Sequence, residues 1–94
     1  MAFVRVPGRR PLPKKVVLFA LSTCGWCRRT KELLNEVEIE YEYVDVDQCS
    51  GEERETITAM ARRLNPRGNY PILQIGDQVV VGYDPERIRK ALGE

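Results

Sequence analysis

The chain has 94 residues, of which 43% are apolar and 31% are charged, a balance typical of a single folded domain. The longest apolar run, residues 16–21, is too short for a bilayer span or a signal peptide, so we expect a cytoplasmic protein with no membrane partner. Histidine is absent, which excludes Cys-His and Ser-His nucleophile pairs and zinc sites that use histidine.

Charge is unevenly distributed along the chain. Residues 1–15 contain five basic and no acidic side chains, whereas residues 16–94 contain 10 basic and 14 acidic ones. The first 15 residues also hold three of the six prolines. We therefore divide the chain into a basic, proline-rich N-terminal arm at 1–15 and a folded domain at 16–94. A short basic arm on an acidic domain does not indicate nucleic acid as a partner.

Patterns of apolar residues predict the strands and the helix in the first half of the chain. Residues 3–6 could form a short edge strand within the arm. The continuous apolar run at 16–21 predicts a buried strand, and residues 27–38 predict a helix with one apolar face. Residues 39–47 predict a second strand. Apolar and polar residues alternate along this strand, and the apolar positions change from one face to the other partway along. This change indicates that both faces of the strand are partly covered.

Residues typical of helix caps and turns predict the elements in the second half of the chain. Ser50 and Glu53 have the spacing of a capping box, and the helix that follows should end before Asn65-Pro66. Residues 71–75 and 78–81 predict a hairpin.

Asp84 followed by Pro85 predicts the start of the last helix. The order of elements is therefore β-α-β-α-β-β-α. It predicts an α/β fold with a mixed four-stranded sheet, helices on both faces and a possible extra N-terminal strand. The first two strands should be parallel, because a helix connects them.

The sequence Cys24-Gly25-Trp26-Cys27 lies where the first buried strand ends and a helix begins. A helix N-terminus favours an anion, so a cysteine there is favoured as its reactive thiolate. We expect Cys24 to be the exposed nucleophile and Cys27 to be the shielded, resolving thiol. The alternatives are a coincidental pair or half of a zinc site. Only Cys49 remains as a further thiol, so no metal site is expected, and packing or capping is the favoured interpretation of Cys49.

Three motifs in this order resemble those of glutaredoxins in the thioredoxin superfamily. They are the CGWC sequence at 24–27, Tyr70-Pro71 before a strand, and Gly82-Tyr83-Asp84 before the last helix. The resemblance covers about residues 16–93 and implies a thioredoxin-like fold. It implies that Pro71 is cis and faces the cysteines. The backbone before this proline would then pair with the bound disulfide partner like an added strand.

The resemblance also implies where a thiol partner binds. Gly82-Tyr83-Asp84 is similar to the Gly-Gly-x-Asp sequence that holds the glutamyl end of glutathione, although capping alone could explain Asp84. The residues expected to bind the thiol partner are Gly25, Trp26, Asn69, Tyr70, Pro71, Gly82, Tyr83 and Asp84. The chain differs from the family pattern in having Val81 in place of the first glycine and Leu21 in place of a lysine. It also has Gly-Trp in place of Pro-Tyr between the cysteines.

The implied activity is that of a dithiol thiol–disulfide oxidoreductase. Expected substrates are protein disulfides or mixed disulfides with a small thiol. No tightly bound cofactor is expected. Glutathione, another low-molecular-weight thiol or a flavoprotein reductase would restore the dithiol, and we expect a monomer. Two alternatives stay open. One is a [2Fe–2S] carrier that shares a cluster between two chains. The other is an electron donor to a specific reductase, recharged by a thioredoxin reductase.

Overall fold

The computed structural model describes residues 2–10 and 13–93. Its elements, in chain order, are β1 (Val4–Val6), β2 (Val16–Ala20), α1 (Gly25–Glu36), β3 (Tyr41–Asp45), a 3-10 turn (Val46–Gln48), α2 (Gly51–Leu64), β4 (Ile72–Ile75), β5 (Gln78–Val81) and α3 (Pro85–Ala91). Met1, Pro11, Leu12 and Glu94, which the predicted arm and domain include, lie outside the described residues. No helix in the described part is long and apolar enough to cross a membrane.

The strands of the described chain form one mixed sheet in the order β1-β3-β2-β4-β5. β2 and β3 are parallel, whereas the β1–β3, β2–β4 and β4–β5 pairs are antiparallel. The predicted mixed sheet is therefore confirmed. The possible extra strand is also present, as β1 on the outer side of β3.

The strand directions bring four connecting segments together along one edge of the sheet, the edge formed by the ends of the strands. β2 and β3 both end there, because Ala20 lies opposite Asp45 in their parallel register. β4 begins there and β5 ends there, since Ile72 lies opposite Val81. We call this edge the active edge. The CGWC sequence, the 3-10 turn, Tyr70-Pro71 and the loop at 82–84 all lie along it.

The core has two layers, one on each face of the sheet. All five residues of β2 are buried, so this central strand supplies apolar side chains to both layers. Leu18 belongs to the layer with Leu34 of α1 and Ile88 of α3. Phe19 belongs to the other layer, with Ile57 of α2. Burying such side chains stabilises the fold by about 1.5–3 kcal/mol each and fixes the helices against the sheet.

Helix α1 begins two residues earlier than predicted. Its first residues, Gly25 and Trp26, are exposed, so they do not contribute to the apolar periodicity from which the start at residue 27 was predicted. The helix ends at Glu36, with Val37 as C-cap, and Glu38 then adopts a positive φ of 59°. The N-terminus of α1 is therefore placed directly at Cys24.

β3 is shorter than the predicted strand at 39–47. Ile39 instead forms an isolated parallel bridge with Arg10, and Val46 already belongs to the 3-10 turn. Gly8 makes the approach of the arm possible, because a Cβ at this position would lie 2.4 Å from the carbonyl carbon of Ile39. The described part of the arm is thus packed against the domain by backbone contact as well as by β1.

The predicted capping box is wrong. Ser50 is the N-cap of α2, but its side chain makes no capping hydrogen bond. Gly51, the first residue of the helix, has a φ of 60°, which departs from the helical geometry that the reciprocal Ser–Glu arrangement requires. The acidic side chains of Glu52 and Glu53 still stabilise this N-terminus through the helix dipole.

Candidate active site

Cys24 occupies the N-cap of α1. Its backbone is extended, and its Sγ accepts a hydrogen bond from the backbone N–H of Cys27 at 3.2 Å. Its own N–H donates to the carbonyl oxygen of Leu21 at 3.2 Å. The residue is half-buried, so its sulfur lies at the free N–H groups of a helix and remains within reach of a partner. The sulfur therefore faces the positive end of the helix dipole.

Cys27 lies one turn into the helix and is buried. Burial, together with the hydrogen bond to Cys24, raises the pKa of Cys27 to about 12. A hydrogen bond with the Leu21 backbone and the charge of Lys31 act in the opposite direction on this pKa. At neutral pH the Cys27 thiol is therefore protonated. The two cysteines therefore differ in access and in environment.

A stacked group of side chains flanks Cys24. The rings of Trp26 and Tyr83 lie nearly parallel, with 5.7 Å between their centroids and 17° between their planes. The guanidinium carbon of Arg29 lies 5.7 Å from the centroid of the Trp26 ring. Trp26 is still 59% exposed. The stack joins the first turn of α1 to the loop before α3 and presents an aromatic and cationic surface beside the cysteine.

The Tyr70-Pro71 bond is cis, and Pro71 is buried. Tyr70 packs against both core layers, and its burial raises the pKa of its hydroxyl. The carbonyl oxygen of Pro71 accepts a hydrogen bond from the Gly82 N–H at 2.8 Å. The Asn69 carbonyl oxygen is held by the side chain of Asn65 at 3.0 Å. The loop before β4 is therefore fixed at both of its ends.

The loop before α3 contains Gly82, Tyr83 and Asp84. Gly82 has a φ of 82°, a conformation that favours glycine, and the space where its side chain would be is open. Asp84 is the N-cap of α3 and accepts a hydrogen bond from the Arg87 N–H at 3.2 Å. The structure therefore assigns Asp84 a capping contact. Both interpretations of this carboxylate made from the sequence, capping and thiol binding, stay compatible with its position.

One group at the active edge was missed from the sequence. Asp47 accepts hydrogen bonds from both the backbone N–H and the hydroxyl of Ser22, and Gln48 donates to the same hydroxyl at 3.0 Å. The residues are 25 or 26 positions apart, so no local motif marks them. The only available signal was that both segments directly follow strands predicted to be parallel.

Cys49 follows the 3-10 turn and belongs to the core layer opposite the one that contains Cys27. It is buried in the layer that contains Phe19, and its Sγ donates to the Asp45 carbonyl oxygen at 3.7 Å. Burial raises the pKa of its thiol. This placement agrees with the packing interpretation. Among residues 2–10 and 13–93, no group of three or more Cys, Asp or Glu side chains is arranged to hold a metal ion.

The described strands and helices, with paired cysteines at the start of α1 and a cis proline before β4, define a thioredoxin-like fold. Within that class, the glutaredoxin family model matches residues 16–80, and the chain belongs to the glutaredoxin family.

Two solved structures from Methanosarcina species are similar to most or all of this chain. The glutaredoxin of Methanosarcina mazei Go1 is 36% identical with a TM-score of 0.88, covering 100% of this chain and 90% of that one. The methanoredoxin of Methanosarcina acetivorans is 38% identical with a TM-score of 0.82, covering 85% of each chain. A curated relative, an uncharacterized glutaredoxin-like 8.6 kDa protein in the rubredoxin operon of Clostridium pasteurianum, is 30% identical over 82% of this chain and 96% of its own length.

Proposed function

We propose that the protein is a dithiol thiol–disulfide oxidoreductase that acts on protein disulfides and on mixed disulfides with a small thiol. The observation that carries the proposal is the unequal environment of the two cysteines. Cys24 is half-buried at a helix N-terminus with its Sγ 3.2 Å from the Cys27 nitrogen, whereas Cys27 is buried and neutral. Membership of the glutaredoxin family supports the same chemistry.

In the first step, the Cys24 thiolate attacks one sulfur of the substrate disulfide. A bond forms between the Cys24 Sγ and that sulfur, and the substrate S–S bond breaks. The second substrate sulfur leaves as a thiolate and takes a proton from solvent. The free N–H groups at the start of α1 stabilise the attacking anion. Because Cys27 is buried and protonated, the mixed disulfide forms at Cys24.

In the second step, Cys27 loses its proton to solvent and attacks the Cys24 Sγ. The mixed disulfide breaks, the remaining substrate sulfur leaves as a thiolate and takes a proton from solvent, and a Cys24–Cys27 disulfide forms. The substrate has then gained two electrons and two protons. Two molecules of glutathione or of another low-molecular-weight thiol, or a flavoprotein reductase, return two electrons and restore the dithiol. No tightly bound cofactor takes part.

The surroundings of Cys24 support a bound thiol partner. Trp26 and Tyr83 provide a flat surface on one side, and the fixed Tyr70-Pro71 loop provides backbone on the other. A side chain at Gly82 would meet no atom within 4 Å, so the space beside this residue is open. We assign the partner to this surface, together with Gly25, Asn69 and Asp84. The iron–sulfur carrier and the dedicated electron donor remain hypotheses, and visible absorbance after anaerobic purification would test the first of them.

The test is a redox titration of the purified protein in glutathione buffers, read by intact mass after acid quenching and alkylation. We expect a Cys24–Cys27 disulfide in oxidising buffers and a glutathione adduct on Cys24 during its reduction. Cys27→Ser should accumulate the adduct, Cys24→Ser should form none, and Cys49→Ala should behave as the unmodified protein. Full disulfide-reducing activity in Cys24→Ser would disprove the mechanism. A stable disulfide without an adduct would assign reduction to another thiol or to a reductase.

A further inference from the structure

Asp47 binds the segment that leads into the active-site helix. Its two carboxylate oxygens accept from different groups of one residue. Oδ1 accepts from the Ser22 N–H at 2.8 Å, and Oδ2 accepts from the Ser22 hydroxyl. Gln48 Nε2 donates to the Ser22 hydroxyl at 3.0 Å and to Asp47 Oδ2 at 3.3 Å. Three side-chain hydrogen bonds therefore converge on Ser22, two positions before Cys24.

The sheet topology makes this contact possible. β2 and β3 are parallel neighbours, so the segments that follow them leave the sheet side by side at the active edge. The segment after β2 continues to Cys24. The segment after β3 forms the 3-10 turn, whose hydrogen bond from the Cys49 N–H to the Val46 carbonyl oxygen fixes the backbone that carries Asp47. The 3-10 turn after β3 thus supports the segment that follows β2.

The held segment contacts Cys24 directly. The Leu21 carbonyl oxygen accepts from the Cys24 N–H at 3.2 Å. This oxygen belongs to the peptide unit between Leu21 and Ser22, so movement of Ser22 would displace it. The Leu21 backbone also acts to lower the pKa of Cys27, against the effect of burial.

The hydrogen bonds to Asp47 are charge-assisted. Donation from Ser22 holds the pKa of the Asp47 carboxyl below its usual range, so the side chain is ionised at neutral pH. Hydrogen bonds to an ionised acceptor are roughly twice as strong as those between neutral groups. Asp47 therefore restrains Ser22 more firmly than a neutral side chain of the same size would.

We propose that Asp47 is a positioning residue for the active-site cysteines, which it holds through Ser22 and Leu21 so that the Cys27 N–H stays directed at the Cys24 Sγ. Asp47 acts without touching substrate. The assignment rests on the proposed function only in taking Cys24 as the reacting thiol.

The test compares Asp47→Ala with Asp77→Ala, a matched control that removes a carboxylate from the β4–β5 turn at the opposite edge of the sheet. The primary measurement is the rate of iodoacetamide alkylation of Cys24 at pH 7, followed by peptide mass mapping. We expect Asp47→Ala to lower this rate about tenfold, because the Cys27 N–H would no longer be directed at the Cys24 sulfur and its hydrogen bond favours the reactive thiolate, and Asp77→Ala to leave the rate unchanged. The equilibrium between the disulfide and dithiol forms should shift toward the disulfide by a similar factor. This shift lowers the reduction potential by about 30 mV.

The sign of the effect separates positioning from simple electrostatics. Removing a negative charge near a thiolate would by itself raise the alkylation rate. A raised or unchanged rate in folded Asp47→Ala therefore overturns the proposal. If Asp47→Ala does not fold, Ser22→Ala supplies the test. It removes the hydroxyl donor but keeps the N–H, and it must slow alkylation at an unchanged melting temperature or the proposal fails. Alkylation needs no disulfide substrate, so absence of reductase activity in the unmodified protein contradicts only the proposed function.

Discussion

The indole ring of Trp26 is stacked on the phenol ring of Tyr83, with 5.7 Å between the ring centroids and 17° between the planes. The two residues are far apart in the sequence. Trp26 belongs to the first turn of α1, and Tyr83 belongs to the loop that follows β5. Their contact spans the active edge next to Cys24. The partner surface assigned above therefore depends on a contact between two side chains rather than on one exposed tryptophan.

Replacing Tyr83 by alanine should free the Trp26 ring. An aromatic pair contributes about 0.5–1.5 kcal/mol beyond its buried area, so we expect a small loss of stability together with a change in tryptophan emission. The chain has one tryptophan, so any change in its fluorescence can be assigned to the surroundings of Trp26. Tyr83→Phe keeps the ring and is the matched control. Identical emission from the alanine and phenylalanine variants would contradict the stacking.

The three thiols should differ in reactivity with iodoacetamide. Burial raises the pKa of Cys27 to about 12 and also raises that of Cys49, so both remain protonated at pH 7 and are covered by the core. We expect Cys24 to be alkylated first, about tenfold or more faster than the other two. Peptide mass mapping of short reactions checks the order. In urea the three rates should converge, and equal rates in the folded protein would contradict the structure.

The stability of the fold should depend on pH through Asp47. Its folded-state pKa is lowered, chiefly by the hydrogen bonds from Ser22. Its contribution is therefore present in full above the pKa of an unfolded aspartate, about 3.9, and is lost as the pH falls through the lower folded-state value. Urea unfolding of the unmodified protein and of Asp47→Asn should differ at pH 6, and the difference should shrink toward pH 3. A difference that stays constant with pH would exclude this linkage.

Gly8 should not tolerate alanine. A Cβ there would lie 2.4 Å from the Ile39 carbonyl carbon and 2.5 Å from the Glu38 carbonyl oxygen, and both are backbone atoms that cannot rotate away. Such overpacking costs about 1–3 kcal/mol, which separates the arm from the domain. Limited proteolysis should then cleave Gly8→Ala within residues 2–10 faster than the unmodified protein. Gly25→Ala is the control for stability, since its added Cβ meets no atom within 4 Å.

The central parts of the fold could be predicted because their signals are local. The continuous apolar residues of β2 mark a buried strand, and Asp84-Pro85 marks a helix start. The position of Cys24 at a helix N-terminus follows from the order of these elements. The Ser50–Glu53 prediction failed because a motif gives residue spacing but not the backbone angles, and the positive φ of Gly51 changes them.

The contacts that shape the site could not be predicted in this way. Ser22 with Asp47 and Trp26 with Tyr83 are far apart in sequence, so no local spacing marks either pair. Hydrophobic periodicity identifies which residues are buried, but it does not identify which two polar or aromatic side chains meet at a sheet edge. That information depends on strand order and register.

The pairing of β1 with β3 has a consequence for the behaviour of the protein in concentrated solution. An uncovered outer strand offers its N–H and C=O groups to strands of other molecules and so invites self-association. Val4, Arg5 and Val6 lie opposite Tyr43, Glu42 and Tyr41 and cover this side of the sheet. Arg5 also forms an exposed ion pair with Glu40 at 2.7 Å. β1 thereby becomes the outer strand, but it is only three residues long and carries the charged Arg5, and both features limit pairing with another molecule. Loss of β1 would leave the tyrosine-rich β3 as the outer strand, so shortening the arm would be expected to reduce solubility.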